Sequence, residues 1–385
     1  MNADFHYYAT YCAAVLAGYS HEDSLTAAYS SCFTDVCSRT MLKRIKAPLA
    51  AATTQLPLEL MDARTDIPGL QDITRIWASF HFLPYDLSAV PPKRCSKRYL
   101  NKYRLICQPN GELLSPTVEA AKGKDMQAAG VAMHVLADTW AHRCFAGTPS
   151  LVINNAYNRF TELLPDRDGF SEKRITFRHS ASAPDDLENS VYTASLFSSN
   201  ENSIMNLGHG RAGHLPDYSF IRYKYLPAWA DYEEVVKDNP SEYKLAFCQM
   251  IYALKYLRKE QAEFRTGEYD FEAIADIEAD IDAILRKRQP DAGEDWRALG
   301  ERLSGQAVEP FDAEKYTEEY LSAAKAEKDN TFLGRFIIAA LAQKSMVTNR
   351  IYNSGSRLAG RSVEYSQKGF HGIKAYKKLL KEAHK

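Results

Sequence analysis

The 385-residue chain has seven cysteines, Cys12, Cys32, Cys37, Cys95, Cys107, Cys144 and Cys248, and no two of them form a CxxC pair. An odd, scattered set excludes a four-cysteine zinc site and argues against a disulfide framework. It points instead to reduced thiols and a cytoplasmic setting. Charge of either sign is not in surplus: 48 basic and 49 acidic residues leave a net charge of −1. That total gives no support to non-specific nucleic-acid binding. Long apolar runs are missing. The most apolar stretch, FLGRFIIAALA at 332–342, contains Arg335 and is too short to span a bilayer. The start, MNADFHYYATYCAAVLAGY, has no cationic leader region, and Asp4 and His6 interrupt its apolar part. There is no GxSxG elbow, no phosphate-binding GxxxxGKS/T loop and no GxGxxG after a strand, which removes three common enzyme classes. Repeats and low-complexity segments are absent as well.

What is present is a soluble composition, 45% hydrophobic and 25% charged, with room for two or three domains. Periodicity predicts helices over 6–18, 21–37, 72–83, 125–147, 242–265, 270–288, 312–327 and 331–352. The segment 175–180, ITFRHS, is the best strand candidate. PPKRCSKRYLNKYR (91–104) is basic, SSNENSIMNLGHGRAGHLPDYS (198–219) is a polar loop, and a basic tail, KAYKKLLKEAHK, closes the chain.

Eight of the ten histidines lie at or before residue 214 and none between 215 and 370, so any histidine chemistry belongs to the first part. In HVLADTWAHRCF (134–145), His134, Asp138 and His142 stand four apart. Successive helical residues turn by about 100°, so the three share one stripe. Two imidazoles a turn apart can grip one ion, and an intervening carboxylate a turn from each of two imidazoles can bridge two. A buried His–Asp–His hydrogen-bond ladder has the same spacing. GHGRAGHLPD (208–217) adds glycines that permit close backbone approach, with His209, His214 and Asp217 around them. Asp35 sits at the end of a predicted helix, where the negative end of the helix dipole disfavours an acid, so it needs a cation or a basic neighbour such as Arg39 or Lys43. His6 stands at the mouth of the first helix and His81 among aromatic residues before Pro84. His21, His179, His371 and His384 read as surface or structural. A Cys144–His142 nucleophile pair lacks an orienting third group.

The blocks DFHYYATY, TDV around Asp35, FHF around His81, HVLADTWAH and GHGRAGHLPD, in this order, resemble an uncharacterised bacterial protein family. That family is remotely similar to the zinc-dependent phospholipase C and P1 nuclease group, helical hydrolases that hold two or three zinc ions with His and Asp or Glu. Over residues 1–220 the resemblance implies a set of ligands. His134 and Asp138 would form the central pair, with Asp138 bridging, and His142 would follow. Asp35 and His81 would complete one ion, and His214 with Asp217 or His209 the next. His6 matches the group's early histidine. In that group a processed N-terminal residue can also bind zinc. The unprocessed-looking start at Met1 sets the expectation at two ions within a range of one to three.

The expected fold is therefore mainly α: a multi-helix bundle resembling the phospholipase C and P1 nuclease fold, with additional C-terminal helices. Residues 1–230 would form the metal-binding domain and 231–385 a helical scaffold or a surface for a homo-oligomer or protein partner. The expected function is cytoplasmic metal-dependent hydrolysis of a phosphoester by a metal-activated water, with zinc the expected ion. Asp138 and Asp35 would be catalytic, and Arg143 and Arg211 would grip phosphate. Nucleic acid, phospholipid and small phosphoesters all remain open as substrate. Two alternatives stand beside this reading. One is an HD-type nucleotide phosphohydrolase, disfavoured because the chain has no His-Asp dipeptide. The other is a non-catalytic helical module with a structural metal site.

Overall fold

In the computed structural model the described residues are 1–156, 159–167, 169–178, 184–193, 207–231, 233–258 and 263–361. His179, His371, His384 and the basic tail lie outside them.

The fold is organised around the helix Met126–Ala141, in which every residue except Met126 and Ala128 is buried. A helix apolar on all sides belongs in the middle of a core. His21–Phe33 packs on one side of it, its N-terminus capped by Ser20, whose hydroxyl accepts from the Asp23 amide. Gly130 permits that approach: a Cβ there would stand 2.3 Å from the Ala27 carbonyl oxygen. Asn239–Arg258 packs on another side, where the Trp140 indole donates to Gln249 at 2.9 Å. Phe332–Asn353 closes the bundle, with the Gln343 amide donating to the Ser79 carbonyl. One hydrophobic core runs from Met1 to Ala359 and crosses residue 230 without a break. Phe5, for example, meets Tyr243 and Trp296 edge-on. The C-terminal helices are thus part of the scaffold that holds the N-terminal ones. Among the described residues no helix is long and apolar enough to cross a membrane.

The expectation of a mainly α bundle is corrected. Helices dominate at about 49%, but about 10% of the chain is strand, and the architecture is mixed α/β. Strands β1 (Phe160–Asp166), β2 (Gly169–Arg174), β5 (Arg222–Tyr225) and β6 (Val235–Asp238) form an antiparallel sheet in the order β2-β1-β5-β6. A parallel pair, β3 (Thr176–Arg178) and β4 (Val191–Thr193), stands apart from it. Only β3 was foreseen, within ITFRHS. The sheet carries a second apolar cluster, in which Phe160, Tyr223 and Tyr225 pack with Phe82, Phe145 and Leu215. This cluster presses the 207–221 segment against the C-terminal end of the central helix.

Candidate metal centre

The central helix presents His134 and Asp138 inward, with relative exposures of 0% and 1%. A carboxylate this deep is costly unless paired, and Asp138 is paired many times over. Its Oδ1 lies 2.7 Å from the Met1 α-amino group and 3.1 Å from His6 Nε2. Its Oδ2 lies 3.2 Å from both His81 Nδ1 and His134 Nε2, and 3.5 Å from His142 Nδ1. Three segments converge here. His6 comes from a π-helical turn, Asp4–Ala9, that precedes the helix Thr10–Leu16; such turns recur at functional sites. His81 caps the helix Ile67–Phe80. His142 ends the central helix, which stops at Ala141 and not at the predicted 147.

Asp35 follows the helix His21–Phe33 in a turn, with its carboxylate 3.6 Å from His81 Nδ1 and 3.9 Å from both His6 Nε2 and His134 Nε2. Of the two basic partners foreseen for it, Arg39 is engaged elsewhere, pairing with Asp72 at 2.7 Å. Asp35 is 39% exposed, whereas its imidazole neighbours are buried, so it marks the side open to solvent. Asp217 lies at the far end of the cluster, 3.2 Å from His142 Nε2, 3.5 Å from His209 Nε2 and 3.4 Å from the Met1 amine. Three sets of donor atoms converge closely enough for one ion each: His6, His134 and Asp138; Asp35, His81 and His134; and His142, His209 and Asp217.

The protons decide what these groups can do. A carbonyl only accepts, so an imidazole nitrogen facing one carries hydrogen. His81 Nε2 faces the Thr53 carbonyl at 3.0 Å, His142 Nδ1 the His81 carbonyl at 2.6 Å, and His209 Nδ1 the Gly213 carbonyl at 2.8 Å. In each ring the other nitrogen is aimed at a carboxylate. Burial drives His209 down to about 4, so the ring is neutral near pH 7 and its Nε2 lone pair looks at Asp217. Two lone pairs facing each other repel, and a cation between them removes the conflict. Backbone carbonyls fixing the remote nitrogen are also the usual support of metal-bound histidines. Burial likewise holds His6 and His134 at about 4, and their Nδ1 atoms have no hydrogen-bond partner among the described residues. At His81 burial acts downward, but the bond to Asp138 and the charges of Asp35 and Asp138 outweigh it and raise the pKa. Burial acts upward on Asp138 and Asp217, yet surrounding imidazoles and the Met1 amine hold both well below the usual carboxylate range. That amine is itself a cation seated between the two carboxylates. Burial opposes its charge, but Asp138, Asp217 and Asp35 raise it to about 11. The pocket is built to hold positive charge, and its donors, neutral imidazole and ionised carboxylate, are those of zinc, manganese or iron(II).

Of the residues singled out from sequence, His6, Asp35, His81, His134, Asp138, His142, His209 and Asp217 come together. His214 stays at the rim, 56% exposed, with Nδ1 3.7 Å from Asp217. Arg211 lies half-buried in the turn after His209. The role given to Arg143 is corrected: its guanidinium turns to Glu242 at 2.6 Å and to the Val236 carbonyl at 2.7 Å, because the residue after a helix-capping histidine points away from the stripe. Cys144 is buried, and that burial raises its thiol pKa and disfavours the thiolate. The Met1 amine, set aside in the sequence reading, lies within the cluster, and the Thr53 and Gly213 carbonyls were missed. Backbone groups carry no sequence signature, although TT between Pro48 and Pro57 marks a loop.

No curated protein and no solved structure matches this chain. A family match covers residues 1–351. The chain belongs to the family of unknown function DUF6765.

Proposed function

We propose that the centre around Asp138 and Asp217 binds two or three divalent cations, with zinc the best fit, and hydrolyses a phosphoester. The observation that carries this reading is the fixed tautomer of His209, whose only free lone pair faces a carboxylate. Bound cations lower the pKa of a water and neutralise charge growing on phosphoryl oxygens. The chain supplies the rest. Asp138 offers one oxygen toward His6 and the other toward His81 and His134, and would hold a cation on either side. Asp35, the exposed carboxylate, is placed to take the proton of the attacking water. Its exposure favours a catalytic over a structural centre, because structural sites are closed. Cysteines that are all unpaired fit action in a reducing cytoplasm.

The test is hydrolysis of bis(p-nitrophenyl) phosphate by purified protein, before and after chelation and with zinc restored. Activity should vanish with the metal and return with it. Asp35→Asn should lower turnover by about 10²–10⁴, the range for a lost general base, while leaving the metal content intact. A metal-loaded protein inactive on every phosphoester tried would sink the catalytic reading and leave a structural centre.

A further inference from the structure

The segment Val90–Arg104 has no part in the centre described above. It holds six basic residues, Lys93, Arg94, Lys97, Arg98, Lys102 and Arg104, and no acid. Its short helix, Lys97–Tyr103, buries no residue against the body of the protein. Half of these charges are committed. Lys93 pairs with Asp231, Lys102 donates to the Pro149 carbonyl, and Arg104 donates to the Ala89 carbonyl. Arg94, Lys97 and Arg98 are exposed and have no partner among the described residues.

A second feature lies against the first. The bond from Lys102 to Pro149 pins the turn that follows, where Leu151 and Val152 stand 49% and 41% exposed. Arg98, Tyr99, Lys102, Leu151 and Val152 line one shallow hollow. Val90, at the start of the same segment, is 74% exposed. Scattered exposed aliphatics need no explanation. Protruding aliphatics beside the unpaired Arg98, on a segment that also carries the unpaired Arg94 and Lys97, do, because the combination matches a surface that is anionic outside and apolar beneath.

We propose that this face docks on an anionic phospholipid bilayer. Arg94, Lys97 and Arg98 reach the phosphates, and Leu151 and Val152 enter the boundary between headgroups and acyl chains. A nucleic acid would use the cations but would leave the aliphatic turn in water, so the lipid surface is the better match. The turn begins nine residues after His142, and the Gly208 amide donates to the Ala146 carbonyl between them. The inference does not depend on the centre being catalytic.

The experiment is co-sedimentation of the full chain with vesicles of phosphatidylcholine alone and of phosphatidylcholine mixed with phosphatidylglycerol, with a duplex DNA arm in parallel. Binding to the mixed vesicles alone, weakened by salt, is expected. Each exposed cation near an anionic surface contributes roughly fivefold. The triple variant Arg94→Gln, Lys97→Gln, Arg98→Gln should thus lose on the order of a hundredfold in partitioning. Leu151→Ser with Val152→Ser should also weaken vesicle binding with all charges kept. No binding to anionic vesicles would overturn the proposal. So would binding that ignores the Leu151 and Val152 changes, or tighter binding to DNA than to vesicles. All five positions are exposed, and circular dichroism confirms that the variants are folded.

Discussion

Lys344 offers a sharp test of how the centre is held. It lies in the helix Phe332–Asn353, 4% exposed, and its ammonium donates to the carbonyls of Ala50 and Ala52. Those residues begin the strap that ends in Thr53, whose hydroxyl donates to the Thr34 carbonyl beside Asp35 and whose carbonyl accepts from His81. Burial lowers the Lys344 pKa from 10.5 to about 7. Above that value the folded chain has released a proton that the unfolded chain keeps until about 10.4, so this group makes stability rise with pH. At about 1.4 kcal/mol per pH unit, and allowing for half-titration at the lower end, the gain from about pH 7 to about pH 9 is roughly 2 kcal/mol. Lys344→Met removes that dependence. It also leaves two carbonyls without a donor, at about 1–3 kcal/mol each, offset near neutrality by relief from burying an ammonium. The assay is urea unfolding followed by tryptophan fluorescence at both pH values. The stability gap between wild type and variant should widen by roughly 2 kcal/mol at the higher pH. Cation affinity should fall about 10–100-fold as His81 loses its support. A gap that stays constant with pH would refute the reasoning.

Two further outcomes are expected. At Gly208, φ is +53° and an added Cβ would stand 2.1 Å from the Phe82 ring, which stacks on His142 at 4.6 Å. Gly208→Ala should therefore cost roughly 2–4 kcal/mol, combining left-handed strain with overpacking. Calorimetry should show a lower Tm, and metal analysis should show loss of the His142–His209–Asp217 ion first. In chelator-treated protein, His6, His134 and His209 titrate near 4 when folded and near 6.5 when unfolded. As pH falls through that window the unfolded chain gains protons that the folded chain refuses, so stability should drop. The raised pKa of His81 acts above this window; within it the Asp4 carboxyl, raised by burial to about 6, acts in the opposite sense but is outnumbered by the three imidazoles. A urea midpoint that stays flat from about pH 6.5 to about pH 4.5 would contradict the picture of neutral buried imidazoles.

The stripe His134–Asp138–His142 was legible because helical period alone fixes it. The nearness of His209 and Asp217 was foreshadowed by the glycines around them, but their position on the end of the central helix depends on the Gly208 amide bonding to Ala146. The sheet was illegible for a physical reason. β2 is polar and largely exposed, β1 contains Pro165, and β5 and β6 have four residues each, too few to show alternation. Their register comes from pairing, which no single strand announces. Helices drawn too long failed at caps. His142, at φ −90° and ψ 16°, and Cys144, at φ +78°, end the central helix, although the sequence up to Gly147 could continue it. Arg143 was misread because adjacency to a ligand says nothing about side-chain direction.

The central claim is that the groups around Asp138 and Asp217 hold cations. Anomalous diffraction from crystals of protein purified without added metal, collected on both sides of the zinc edge, tests it most directly. The account predicts zinc peaks beside Asp138, ringed by His6, His81 and His134 with Asp35 left free on the solvent side, and beside Asp217, between His142 and His209. Crystals that diffract well and show water or nothing at both positions, even after soaking in zinc, would contradict it. The cluster would then be a polar ladder in the core.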